Sequence, residues 1–332
     1  MWSCVLLTDA AAGEARTFGT VDVVPVGAER DLIPAVEAVG AHATGHVLVA
    51  APASLSAELG TTLTVAAGRW PDLRLARLVS THAPLAVLSA LALARATTEY
   101  PGFGARLVES LLQRSWSGAW TPDVAHLVHP APTLAQHARS LLPGAGFLVR
   151  QAPDAGVLGR DPVAGDVPAA GLDRVLLVQE GAVPEPVVHR LERSAEVSAV
   201  RRVAFPGSWR SVYGTSRAGQ VALVPAKPAV LLGAVSHRCP SCGHEQPSAV
   251  CPFCRVIGHS LVSVAHPSPG PPPPTPRAGL PITGLSSGVP FTATARAAVG
   301  PAAAPAAGPA ATAVPMGGTG AVAPPRAAGA AR

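Results

Sequence analysis

Lysine is nearly missing from this chain: of 25 basic residues only Lys227 is a lysine, the rest being arginine. With one lysine, set between Ala226 and Pro228, no GxxxxGK[ST] loop can be written, so the common phosphate loop of nucleotide hydrolases is excluded. Aromatic residues make up 4%, too few for a row of base-stacking side chains. Acidic residues end at Glu245, and beyond it Arg277, Arg296, Arg326 and Arg332 stand unopposed. Setting those four aside leaves 21 basic against 20 acidic residues, so most of the formal net charge of +5 belongs to the tail. No block of like charge marks a phosphate-binding face on what precedes it.

Long apolar runs are missing too. The longest, residues 83–94, is closed by His82 and Arg95; it falls short of the roughly 20 residues of a bilayer crossing and predicts a core helix, with no membrane partner. The opening MWSCVLLTDA has no basic n-region and no adequate apolar core, so no export signal is expected. Five cysteines, four of them in two CxxC pairs, suit a reducing cytoplasm better than a disulfide framework, and a cytoplasmic protein is expected.

What is present is Ala and Val in excess. At 332 residues, 48% hydrophobic, with a mean hydropathy of +0.33, the chain has ample material for a buried core. Short Val/Leu runs at residues 3–9, 21–26, 46–51, 75–80, 124–128, 147–149, 174–178 and 200–205 predict strands, of the buried parallel kind. Between them Leu32, Ile33, Val36 and Val39 share a helical face; Ser54 is a candidate cap for a helix carrying Leu55, Leu59 and Leu63; and Thr133 for one carrying Leu134, His137 and Leu141. Strand and helix in alternation predict an α/β fold with a Rossmann-like, mostly parallel sheet over residues 1–232. A Gly/Pro/Asp-rich stretch at 152–171 leaves open one sheet or two lobes. Residues 211–226 read as a hairpin around Gly214 to Gly219. From residue 265 to 332 the composition is Pro, Ala, Gly, Thr and Ser, which cannot offset an ordering cost of about 1 to 2 kcal/mol per backbone residue; disorder with local polyproline II is expected.

The sharpest signal is CPSCGHEQPSAVCPFCR. Cys239 and Cys242, then Cys251 and Cys254, form two loops able to aim four thiolates at one tetrahedral ion, with Gly243 permitting the tight turn. Four sulfurs complete the shell of Zn²⁺ and leave no open position, so one structural zinc per chain is expected, in a ribbon spanning residues 236–259 on which the core of the body does not depend. This stretch resembles small bacterial zinc-ribbon modules of the CPNCG…CPNCG kind, with Arg255 where that pattern usually has Gly. The resemblance covers only Cys239 to Cys254 and implies a zinc-stabilised knob used for docking or positioning. His237, Arg238, His244 and Arg255 could touch phosphate, but a Zn–thiolate centre is formally −2, Glu245 adds to it, and Phe253 is the only aromatic nearby. Nucleic acid is therefore not the favoured partner.

In open α/β sheets ligands bind at the carboxyl ends of strands, and Asp9, His82 and His129 follow three of the predicted strands. They are the candidate acid/base or metal residues of an enzymatic reading; the competing reading is turn and capping polarity. Two motif matches fail on context. GLSSG at 284–288 satisfies GxSxG but lies in the tail, and GFG at 102–104 lacks the third glycine, with Leu107 in its place, and sits in a helical segment. No cofactor other than zinc is expected. Cys4 reads as a small core residue, His137 and His189 as surface or boundary positions. The function these features favour is an interaction or scaffolding protein that meets a protein partner through its ribbon or Pro-rich tail. An enzyme with a divergent crevice at Asp9, His82 and His129 is the first alternative, and a nucleic-acid-binding regulator the second; the balance leans away from an enzyme.

Overall fold

The computed structural model describes residues 2–8, 16–26, 45–127, 129–142, 146–159, 173–205, 217–228, 236–261 and 293–294, with the single positions Leu32, Pro34, Val36, Gly144, Val167, Tyr213 and Thr215. All belong to one compact unit, Met1–Arg296. Asp9 and most of the Pro/Ala tail lie outside the described residues.

Two six-stranded sheets share a central helical layer. The first is built from β1 (Trp2–Thr8), β2 (Arg16–Phe18), β3 (Val21–Pro25), β4 (His46–Pro52), β5 (Arg74–Ser80) and the distant β15 (Ala293–Thr294), in the order β15-β2-β3-β1-β4-β5. Its β1, β3, β4 and β5 are parallel, while β2 and the short β15 add antiparallel at one edge. Both faces are covered, which is why β1 reads as an unbroken apolar run rather than an alternation: Cys4 and Leu6 enter one core cluster and Val5 and Leu7 another. Helix α1 (Ser56–Arg69) lies over the second of these faces with Leu59, Leu63 and Ala66. It is entered through a 3₁₀ turn, Ala53–Leu55, and no side chain caps it, so Ser54 does not have the expected role. Leu32 and Val36 are helical and buried in the same cluster.

The central layer is α2 (Pro84–Thr97) and α3 (Pro101–Gln113), both opened by proline at the first helical position, where no hydrogen bond is lost. α2 packs on β1 from one side and on a strand of the second sheet from the other. A helix apolar around its circumference must be buried around its circumference, and eight of its residues from Pro84 to Ala94 are. Its N-terminus is capped from a distance: Ala83 donates to Ser117 Oγ at 3.0 Å and Leu85 to Gln220 Oε1 at 2.9 Å, both from the second sheet.

That sheet is built from β6 (Trp116–Thr121), β7 (Phe147–Ala152), β8 (Gly156–Gly159), β9 (Arg174–Gln179), β10 (Ala199–Val203) and β11 (Gly219–Pro225), in the order β10-β9-β11-β6-β7-β8. The α/β class is as the sequence predicts, and β9–β10 is parallel, but the other pairings here are antiparallel. Residues 124–127 of the run expected as a strand at 124–128 are not one, and Val128 lies outside the described residues; the neighbouring β6, interrupted by Gly118, is a strand. Gly118 has no room for a side chain against the Val149 carbonyl, at a register shift in β6–β7, so the glycine that weakens the sequence signal is the one the sheet needs. β11 is no hairpin arm either: buried at all seven positions, it is a central strand between β9 and β6. The chain crosses between the sheets after Ser80 and before Trp116, whereas 152–171 falls within the run that builds the second sheet. Helix α4 (Leu134–Ser140) is capped by Thr133, as the sequence predicts, and the cap is a reciprocal box with Gln136. Helix α5 (Glu185–Ala195) covers the outer face of the second sheet with Val187, Val188 and Leu191. The cysteines are carried by a small three-stranded sheet of β12 (Ser236–Arg238), β13 (Glu245–Gln246) and β14 (His259–Leu261), with β12 in the middle.

Candidate functional site

The two features with chemical content are the cysteine cluster and an apolar groove. In the cluster the ligand atoms of Cys239, Cys242, Cys251 and Cys254 all lie within 4.8 Å of one another, with Cys242 Sγ and Cys251 Sγ 3.9 Å apart; a tetrahedron of Zn–S bonds of about 2.3 Å has edges of about 3.8 Å. Each knuckle is closed by the same pair of backbone bonds. Cys239 N donates to His244 O and Gly243 N to Cys239 O; in the second knuckle Cys251 N donates to Val256 O and Arg255 N to Cys251 O. The residue after the second cysteine is left-handed in both, Gly243 at φ 71° and Arg255 at φ 55°. That explains the usual glycine at the position Arg255 fills: a Cβ there costs about 1 kcal/mol. Arg255→Gly is accordingly expected to raise stability by about 0.5 to 1 kcal/mol, read as a higher midpoint in denaturant at unchanged metal content. Burial pushes the Cys242 and Cys251 thiols up, so a set of four thiolates requires a cation among them. The donor set fits zinc.

The ribbon is not a projecting knob. Cys239, Cys251 and Phe253 belong to the main core cluster, together with Trp2 and Leu85. At the start of β4, His46 meets the His244 ring at 4.4 Å and the Phe253 ring at 5.0 Å, both edge-on. It is 7% exposed, and burial, with His244 beside it, lowers its pKa to about 4. On α3, a Cβ at Gly102 would come 2.6 Å from Gln246 Cβ, and one at Gly104 would strike the Trp2 ring. The GFG at 102–104 thus serves close packing: its first glycine admits the ribbon and its second the tryptophan. Of the residues considered for phosphate, His244 faces the body and Arg238 pairs with Glu245 at 3.7 Å.

The groove lies between α2 and the inner face of the second sheet. Ser89, Ala92, Leu93 and Ala96, spaced along one side of α2, face Val175 and Leu177 of β9, Ala199 and Arg201 of β10 and Val224 of β11, and Phe18 at the end of β2 lines it too. The cavity is about 470 Å³ and open on one side. It exists because three of the helical positions are small. Its charge sits at the rim: Lys227 pairs with Asp173 at 3.7 Å, while Arg201 is half-buried, lines the groove and has no acidic partner among the described residues. The next residue, Arg202, lies on the opposite face and is clamped to both Glu185 oxygens at 2.7 Å.

His82 and His129 are not brought together. His82 is half-buried beside Ser80, whose Oγ is 3.3 Å from its Nδ1 and also accepts from the His82 amide, and burial lowers its pKa. His129 is exposed. No hydrogen bond or ion pair joins them among the described residues. Cys4 is buried, and burial pushes its thiol up to about 12, as befits a core residue. Sequence reasoning missed Arg201 and the groove; the recoverable signal was the Ser89, Ala92, Ala96 row of small residues in an otherwise bulky helix.

No family model matches the chain and no curated protein does. Among solved structures it is similar to a DegV family protein from Eubacterium eligens loaded with heptadecanoic acid, at 10% identity and a TM-score of 0.47, over 68% of this chain and 100% of that one. It is similar also to the Streptococcus pneumoniae fatty acid kinase B3 protein loaded with linoleic acid, at 10% identity and 0.45, over 68% and 99%. A third is a DegV lipid-binding protein from Thermotoga maritima, at 10% and 0.43, over 69% and 100%. These neighbours are described by fatty acids and lipid, not as ribbon-bearing scaffolds, and the interaction or scaffold expectation is corrected. The physical reason lies in this chain: the inner side of the ribbon is used up against the body.

Proposed function

We propose that the chain binds an amphipathic anion, in the simplest case a long-chain carboxylate, with its hydrocarbon in the α2 groove and its charge beside Arg201. The groove carries the reading. Its volume of about 470 Å³ falls in the range of about 300 to 1,000 Å³ usual for small-molecule sites, its walls are largely aliphatic, and the Arg201 guanidinium, without an acidic partner among the described residues, stands at one side. Each methylene withdrawn from water contributes about 0.8 kcal/mol, so roughly eight buried carbons supply about 6 kcal/mol before the headgroup is counted. The cysteine cluster has a separate role in this reading: one zinc ion holds the ribbon folded and so keeps Phe253 against His46.

The test is a titration of purified protein with a fluorescent C16 carboxylate and with the alcohol of equal length. Arg201→Gln is expected to weaken the carboxylate about 10-fold or more, the value of a charge-assisted hydrogen bond, and to leave the alcohol nearly unchanged. Equal weakening of both, or no saturable binding by the native protein, would refute the proposal.

A further inference from the structure

Beside the four-cysteine cluster lies a second set of metal-ligating side chains that shares one member with it. Cys242 Sγ, a ring nitrogen of His46 and a ring nitrogen of His244 all lie within 4.8 Å of one another, while the same Cys242 Sγ is 3.9 Å from Cys251 Sγ. The two histidines come from opposite sides of the docking: His46 opens β4 of the body and His244 belongs to the ribbon. Two observations go beyond proximity. His46 is 7% exposed, and its Nε2 is buried without a hydrogen-bond partner. A buried polar atom left unpaired is costly, and edge-on packing against Phe253 does not call for a nitrogen. His244 Nδ1 lies 2.9 Å from Cys242 O. A carbonyl only accepts, so Nδ1 carries the proton and Nε2 the lone pair, the backbone-oriented tautomer usual for a metal-bound histidine.

We infer that the chain takes a second Zn²⁺ between His46, His244 and Cys242, with the Cys242 thiolate bridging it to the ion of the four-cysteine cluster. The inference rests on the reading of that cluster as a zinc site. Four thiolates around one Zn²⁺ are formally −2, and the imidazoles beside them add no charge; a second Zn²⁺ brings the whole assembly to neutrality. Thiolate sulfur and imidazole nitrogen suit zinc, and with no carboxylate in the set Mg²⁺ and Ca²⁺ are disfavoured. Three protein ligands leave one position to water, so this ion is held less tightly than the first. Two of the three ligands belong to the ribbon, so the second position exists only while the first ion keeps the ribbon folded. Once filled, it joins body to ribbon through metal bonds, with His46 on one side and Cys242 and His244 on the other.

The experiment starts from the full chain, kept reduced and dialysed against metal-free buffer, and titrates it with Zn²⁺ by calorimetry while X-ray absorption reads the ligand shell. One retained ion with sulfur alone at about 2.3 Å is expected, then saturable uptake of a second that adds nitrogen at about 2.0 to 2.1 Å. His46→Phe and His244→Ala should each keep the first ion and weaken the second about 10-fold or more. His46→Phe keeps a ring against Phe253 and removes the unpaired nitrogen, so with one ion bound it should melt no lower than the native protein. The second equivalent should raise the native melt and leave that of both variants unchanged. Failure to retain any ion would overturn the zinc reading of the cysteine cluster and this inference with it. Saturation at one ion, or a second ion bound equally well by His46→Phe, overturns this inference alone. So does nitrogen already present at one equivalent, which would place a histidine in a single-ion set.

Discussion

Cys251→Ser is expected to abolish metal binding and to lower the melting midpoint of the whole α/β body by about 10 °C or more, not merely to fray the ribbon. Cys251 is 2% exposed and sits with Cys239 and Phe253 in the same apolar cluster as Trp2, Leu85 and Val108. A structural zinc contributes about 10 to 16 kcal/mol in isolated zinc-finger peptides, comparable with the about 5 to 15 kcal/mol that holds a whole domain folded. If the proposed zinc holds the ribbon, its loss should take away the ribbon's centre, release Phe253 from His46 and open to water the face of α3 at Gly102, shaped without a side chain to receive Gln246. Even about 4 to 5 kcal/mol of that loss, at about 2 to 4 °C per kcal/mol for a body of this size, gives the stated shift. Metal analysis should fall from one zinc per chain to none, and a chelator should shift the native protein by the same amount. Trp2, close to Gly104 on α3, offers a fluorescence readout on the body side. An unchanged body melt would show that the docking contributes nothing to stability, as the sequence alone leads one to expect.

The contacts between ribbon and body escape a reading of the sequence for a definable reason. Cysteine spacing announces a metal site because the ligands are local, and β1, β4 and β9 announce themselves because strands covered on both faces are apolar at nearly every position. Which surface a module rests on is written in residues far apart in the chain: His46, Gly102 and Gln246 are individually unremarkable. The same holds for the second sheet. Antiparallel or parallel pairing leaves little mark on a buried strand, so β11 looks like a hairpin arm until β6 and β9 are seen on either side of it. Helix α4 shows a further limit. Thr133 gives its cap from sequence, and Leu134 and Leu141 give an apolar face, but periodicity does not say whether that face turns inward.

The groove makes the sharper functional prediction. Ala92→Phe should reduce affinity for a C16 carboxylate about 100-fold or more while leaving the fold at least as stable as before. Ala92 is half-buried on the side of α2 that faces Val175 and Leu177, so a benzyl group placed there enters the cavity and meets aliphatic wall. It excludes roughly four or five methylenes that would otherwise lie there; at about 0.8 kcal/mol each, that is about 3 to 4 kcal/mol of binding, or a factor of roughly 200 to 1,000. Stability should not suffer, because the ring covers apolar surface that an empty groove leaves wet. Two residues away, Ala90 is 4% exposed and belongs to the main cluster. Ala90→Phe must overpack a filled core and is expected to cost about 1 to 3 kcal/mol. The two variants carry the same substitution on the same helix, one into space and one into packing. Loss of binding with a preserved melt at Ala92, against a lowered melt at Ala90, is the signature of an occupied groove; an Ala92→Phe variant that still saturates at the native concentration would mean that the hydrocarbon lies elsewhere.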